Sequence, residues 1–226
     1  MKDIAGNITI IKQQIPSYVK LVAVSKTMSA GDIIIAYNTG HRSFGENRVQ
    51  ELISKADILP KDIEWHLIGH LQRNKVKAVV PFINMIQSVD SFKLLKTIDL
   101  EAAKISRKIN CLLQIYIADE ETKYGFTMDE LEEMLKIQKF MNLKNIEICG
   151  VMGIATFTSD TKQIRNEFRY LADCFKSLKT NWFNTSPHFK EISMGMSDDY
   201  ELAIKEGSTI IRIGSRIFGA RNIIKN

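Results

Sequence analysis

A chain of 226 residues, 45% hydrophobic and 25% charged, carries enough apolar material for a sizeable core and excludes a disordered tail or a disulfide miniprotein. Its 31 basic and 26 acidic residues leave a formal charge of +5, spread along the sequence. That suits an anionic small ligand at least as well as a nucleic acid, and no nucleic-acid partner is expected.

No apolar run approaches the roughly 20 residues that span a bilayer, and Met1 to Pro16 contains no signal-peptide core. Cys111, Cys149 and Cys174 are dispersed, with neither a CxxC pair nor metal-ligand spacing. They read as small buried hydrophobes in a reducing compartment. The expectation is a cytoplasmic protein with no membrane segment. With four prolines and no low-complexity stretch, nothing marks a linker, so residues 1–226 read as a single domain.

Short apolar runs alternate with helical patterns. The runs are Leu21–Val24, a weaker one at Ser43–Gly45, Trp65–Ile68, Met85–Val89, Cys111–Ile117, Ile146–Met152, Glu191–Met194 and Thr209–Ile213. Several are apolar without alternation, as expected of strands covered on both faces. Between them, Phe92, Leu95, Ile98, Ala102 and Ile105 recur at helical spacing after Ser91. Leu131, Met134, Leu135 and Met141 follow Thr127, with Glu130 completing a capping box. Ile164, Phe168, Leu171, Phe175 and Leu178 form one stripe. Asp198 and Asp199 open a short helix that Gly207 closes. The opening segment, about twenty residues long, leaves a first helix undecided. Eight strand–helix units in a chain of this length predict an α/β fold, a (β/α)8 TIM barrel; an open doubly wound sheet is the alternative, because closure is not visible in sequence.

In a barrel, reactive groups gather where strands end. Lys26 follows the first strand. It is either a surface lysine that snorkels outward or an amine in the barrel mouth, where desolvation frees its lone pair for imine formation. Gly195 and Gly214, with Ser193, Ser197 and Ser215, form two turns after strands seven and eight. These turns are either ordinary helix caps or a phosphate cradle of backbone N–H groups and hydroxyls. Arg212 is either a buried partner of a carboxylate or a donor to the pyridine-type nitrogen of a bound cofactor. An arginine donates without protonating, so such a ring would stay neutral and assist carbanions weakly. Asn47 divides evenly between a helix cap partnered by Gln50 and a ligand contact. His66 reads as a core or rim histidine, with a general-base role as the minor alternative. Arg73, Lys75 and Lys77 read as a solvated helix face.

These residues lie in blocks that carry a resemblance: Leu21-Val22-Ala23-Val24-Ser25-Lys26; Phe44-Gly45-Glu46-Asn47 with Val49-Gln50-Glu51; Trp65-His66-Leu67-Ile68-Gly69 with Leu71-Gln72 and Asn74-Lys75; Lys123-Tyr124-Gly125; Gly150-Val151-Met152; and the long stretch from Ile192 to Arg221. The chain resembles the YggS/PROSC family of pyridoxal 5'-phosphate (PLP) homeostasis proteins from about Leu21 to Arg221. The resemblance implies a PLP-binding barrel like the N-terminal domain of alanine racemase, of PLP fold type III, with Lys26 carrying PLP as a Schiff base. It implies Arg212 near the ring nitrogen and Asn47 near the ring. Around the phosphate it implies Gly214, Ser215 and the loop of Ser193, Met194, Gly195 and Ser197. Lys123 matches a second family lysine, a candidate transient acceptor. Arg48 departs from an aromatic residue and Arg73 from a small polar one; neither touches these positions.

Related racemases add a β-domain that supplies a tyrosine base across a dimer. This sequence ends at Asn226, soon after the eighth strand, so one base is expected to be missing and the pocket open to water. The expectation is a monomeric carrier or buffer of PLP without established turnover and with no catalytic residue assigned. PLP-dependent apo-enzymes are its candidate recipients, and a racemase-like enzyme acting on amino acids is the alternative.

Overall fold

The computed structural model describes residues 3–120 and 124–219; Lys123 and the end of the last resemblance block, at Ala220 and Arg221, lie outside the described residues. Eight strands form the frame: β1 (Lys20–Val24), β2 (Ser43–Glu46), β3 (Glu64–Leu67), β4 (Met85–Val89), β5 (Ile109–Gln114), β6 (Ile146–Met152), β7 (Glu191–Ser193) and β8 (Ile210–Ile213). Each pairs in parallel with the next, and β8 returns to β1 through Lys20–Ile210, Leu21–Ile211, Val22–Arg212 and Ala23–Ile213. The closed ring settles the choice between barrel and open sheet.

Alternation along each strand divides the buried side chains into two layers. Val22, Met85, Leu112, Cys149, Met152 and Ile210 fill the barrel interior. Leu21, Ala23, Phe44, Leu113, Val151 and Ile211 face the surrounding helices. The helical shell consists of α1 (Ile4–Gln14), α2 (Ala30–Asn38), α3 (Val49–Ile58), α4 (Val76–Val79), α5 (Phe92–Ala103), α6 (Met128–Lys136), α7 (Gln138–Met141), α8 (Thr161–Asn181), α9 (Tyr200–Lys205) and α10 (Ser215–Phe218).

Local chemistry explains the boundaries. Ser91 caps α5 through the Leu94 N–H, and Thr127 and Glu130 form the reciprocal capping box of α6. Such caps are worth about 1 kcal/mol each. The stripe from Ile164 to Leu178 lies on the 21-residue α8, whose first N–H groups are taken by Asp160. α1, left undecided by the sequence, is a full helix burying Ile4, Ile8 and Ile11. Met141 falls in the separate short α7 and is exposed, and Ile105 lies beyond α5 and is exposed. All three cysteines are free and buried. Among the described residues, no helix is long and apolar enough to cross a membrane, and no cluster of ligating side chains could hold a metal.

Candidate functional site

At the C-terminal end of the barrel a cavity of about 220 Å³ collects Val24 and Lys26 after β1, Asn47 after β2, and Ile68 after β3. Ile154 and Phe157 follow β6; Met196, Ser197 and Asp198 follow β7; Arg212, Gly214 and Ser215 come from β8 and its end. Lys26, Asn47, Ser197, Arg212, Gly214 and Ser215, singled out from sequence, therefore share one wall. A second hollow of about 540 Å³ opens beside it, with Phe157, Met196 and Asp198 common to both.

Lys26 is half-buried at the edge of this cavity. Arg212 is almost fully buried, and its partners are neutral: it donates to Ser193 Oγ at 2.6 Å and to the Gly153 carbonyl at 2.8 Å. Burial pulls its pKa down to about 10, and the charge of Asp199 partly restores it, so Arg212 stays protonated at neutral pH. The carboxylate-paired reading of Arg212 thus gives way to an arginine held by neutral acceptors.

The hydrogen bonds continue inward. Ser193 Oγ donates to Gln87 Oε1 at 2.7 Å, and Gln87 Nε2 lies 2.9 Å from His66 Nδ1. An amide nitrogen only donates, so Nδ1 accepts and the neutral imidazole carries its proton on Nε2, which is buried without a partner. Burial holds the His66 pKa down at about 3. His66 is fully enclosed in the barrel interior, away from solvent, as the core reading expects.

The first of the two glycine turns is locally forced. Gly195 has φ of +93°, and a Cβ there would sit 2.6 Å from the Ala203 Cβ; its carbonyl accepts the Arg212 N–H at 2.9 Å. Gly195→Ala is expected to lower stability by more than about 1 kcal/mol, a fall in Tm of at least roughly 2–4 °C for a chain of this size, read by thermal unfolding. Gly214 donates its N–H to Ser197 Oγ at 3.3 Å, which ties the β7 and β8 turns together. Ser193, Met194 and Gly195 are not on the cavity wall. Ser193 lies behind Arg212, Met194 is buried in the outer core layer, and Gly195 shapes the turn.

Asn47 does not cap α3. That position belongs to Arg48, which makes no side-chain cap bond, and Asn47 turns to the cavity with a buried Oδ1 that has no partner. The backbone of Asn47 also packs so closely on Gly69 that a Cβ at Gly69 would lie 2.3 Å from the Asn47 carbonyl. Sequence reasoning missed Gln87. Its signal was a lone amide inside the apolar run Met85–Val89, a polar group that burial obliges to find partners. The apolar walls Ile68, Ile154 and Phe157 carried no comparable signal.

The closed ring, with its lysine-bearing mouth, defines a barrel of the alanine racemase N-terminal class, and the family model described as alanine racemase, N-terminal domain, matches residues 1–222. The pyridoxal phosphate homeostasis protein of Haemophilus influenzae is 37% identical over 97% of both chains, and that of Escherichia coli K12 is 35% identical over the full length of both. A structure of PipY from Synechococcus elongatus PCC7942 without PLP superimposes with a TM-score of 0.89 at 35% identity, covering 96% of this chain and all of that one. PipY with PLP bound gives 0.85 at the same identity and coverage. The chain belongs to the pyridoxal phosphate homeostasis protein family. Alanine racemase of Clostridium difficile 630, at 14% identity and TM-score 0.73, shares the fold over 98% of this chain and 57% of its own.

Proposed function

We propose that this protein binds PLP as a Schiff base on Lys26 and holds it for intracellular PLP homeostasis, as a monomeric cytoplasmic carrier that supplies PLP-dependent apo-enzymes. The observation that carries the reading is the convergence of Lys26, Asn47, Ser197, Arg212 and Ser215, drawn from almost 190 residues of sequence, on one cavity. The names of the relatives and the PLP-bound PipY structure support it.

The residues present fit the cofactor. PLP supplies an aldehyde conjugated to an electron-withdrawing ring. Lys26 would condense with that aldehyde, releasing one water. Arg212, fixed by Ser193 and Gly153, keeps its remaining donors for a ring nitrogen that it can bind but not protonate. The unpartnered Oδ1 of Asn47 is an acceptor suited to a ring hydroxyl. Ser197 and Ser215 offer hydroxyl donors to a phosphate, the Gly214 N–H being directed to Ser197 Oγ, and Ile68, Ile154 and Phe157 supply apolar surface for the ring. Asp198 also touches the cavity, but it is solvent-exposed, where its charge is screened from the phosphate.

Borohydride reduction of the PLP-loaded protein followed by peptide mapping tests the reading. One pyridoxyl group on Lys26 is expected; a label confined to another lysine overturns it. Arg212→Lys keeps a cation but loses the two-armed fork, so it is expected to weaken PLP binding about tenfold while labelling at Lys26 persists, measured by spectral titration.

A further inference from the structure

Lys55 on α3 is a buried ammonium with all three of its N–H bonds committed: to Glu46 Oε1, Glu51 Oε1 and the Ser25 carbonyl, each at 2.7 Å. A lysine this buried must be paired to be tolerated. Its acceptors are shared in a particular way. The Ser25 hydroxyl donates to the same Glu46 oxygen at 2.5 Å, and the Thr27 N–H donates to the same Glu51 oxygen at 2.5 Å. The Ser25 N–H is also tied to the Gly45 carbonyl at 3.0 Å. One cation with two carboxylates therefore fastens the residue before Lys26 and the residue after it.

The backbone between them is unfavourable by itself. Thr27 is β-branched and has φ of +66°, a left-handed conformation that persists only where its surroundings enforce it. Two bonds enforce it: the Met28 N–H closes the turn on the Ser25 carbonyl at 3.0 Å, and the Glu51 oxygen takes the Thr27 N–H. Where these bonds touch the β1 end, they hold the Ser25 N–H, carbonyl and hydroxyl and the Thr27 N–H, the groups that flank the lysine.

We propose that Lys55, with Glu46 and Glu51, is a positioning residue: the cluster clamps the Ser25–Thr27 backbone and so fixes the direction in which the Lys26 amine enters the cavity. This rests on the reading of Lys26 as the cofactor-bearing lysine. With the backbone fixed, the amine condenses with a bound aldehyde, and re-forms the bond after hydrolysis, without a search over backbone conformations. With the clamp loosened, the link still forms but re-closes more slowly, and the cofactor escapes faster to a competing amine.

The test uses the full-length protein loaded with PLP and challenged with hydroxylamine, which captures the released aldehyde as an oxime. Glu51→Ala removes the acceptor of the Thr27 N–H at a side chain that still reaches solvent, 22% exposed, and leaves Lys55 paired with Glu46 and the Ser25 carbonyl, so the variant is expected to fold. Capture is expected to be about tenfold faster than in the wild type. Exchange of the Thr27 amide hydrogen, followed in the protein without PLP, is expected to accelerate by about the same factor. Glu51→Gln keeps an amide oxygen for that N–H and is expected to restore both rates to within about twofold of the wild type. Lys55→Met should exceed Glu51→Ala; if it fails to fold, the Glu51 pair decides. Capture and exchange rates in Glu51→Ala equal to the wild type, in protein whose wild-type form is labelled at Lys26, overturn the clamp alone. Absence of label at Lys26 in the wild type overturns both the clamp and the reading on which it rests.

Discussion

Replacing Lys26 with alanine is expected to abolish the covalent pyridoxyl label and the yellow colour of the loaded protein, and to weaken PLP retention by at least about a hundredfold. The side chain is half-buried at the cavity edge, so its removal leaves the barrel intact. Stability should change by no more than about 0.5 kcal/mol, as for other substitutions away from the core. Asn47, Arg212, Ser197 and Ser215 remain on the wall, in place for the proposed contacts with ring and phosphate. What disappears is a nucleophile held next to the aldehyde, and with it the advantage of an intramolecular condensation over a bimolecular one. Residual binding without covalent attachment is therefore the expected state of Lys26→Ala, measured by dialysis and by borohydride labelling. Colour and label that survive the substitution would move the covalent site to another lysine.

Much of this architecture could be read from residue order, for physical reasons that differ along the chain. Strands buried on both faces are mostly apolar, so β1, β4 and β6 stood out nearly to the residue despite Gln87, Ser88 and Glu147. Caps are local chemistry, so Thr127 with Glu130 announced α6, and Gly207, at φ of +100°, announced the end of α9. The run Cys111–Ile117 misplaced β5. The strand starts earlier, at Ile109, and ends at Gln114; Ile115 still bridges Phe126 and bonds Met152, while Ile117 is buried outside any strand, a burial that periodicity does not distinguish from strand pairing. Closure was invisible because it depends on β8 meeting β1, residues some 190 positions apart.

The site divides along the same line. Lys26, Arg212 and the glycine turns were legible because each departs from its local pattern: a cation at the end of an apolar strand, a cation inside one, and glycines where turns form. Asn47 was ambiguous because Asn and Gln three residues apart fit a helix start equally well; the structure gives that position to Arg48. Lys55 was not legible at all. Four residues after Glu51 on an amphipathic helix, it reads as an exposed ion pair. Only the approach of Glu46 and the Ser25 carbonyl from two neighbouring strand ends turns that pair into a buried cluster.

Acid is expected to destabilise the protein through His66, beginning well above the range of ordinary carboxylates. Burial in the barrel interior, reinforced by the charge of Lys20, holds the native imidazole neutral, with a pKa down at about 3, whereas an unfolded histidine titrates near 6.5. Between those values the unfolded chain takes up a proton that the native state refuses. The stability contributed by neutral His66 is therefore complete above about pH 6.5 and is lost as pH falls towards 3. By pH 4 the loss amounts to roughly 3 kcal/mol. His41, held down at about 4 by its own burial, adds loss of the same sign. Urea unfolding of the wild type and of His66→Gln at pH 7, 6, 5 and 4 isolates the effect. The wild-type curve should fall more steeply by up to about 1.4 kcal/mol per pH unit, and parallel curves would mean that His66 is not kept neutral. The same imidazole reaches the cavity only at still lower pH. A protonated His66 has donors on both nitrogens, so Gln87 must turn its oxygen toward the ring, and the Ser193 hydroxyl then loses the acceptor that orients it beneath Arg212. The native imidazole takes that proton only near pH 3, so between pH 6.5 and 4 His66 should cost stability while leaving the PLP affinity of the folded protein level, because the chain of bonds from the imidazole through Gln87 and Ser193 to Arg212 stays intact there.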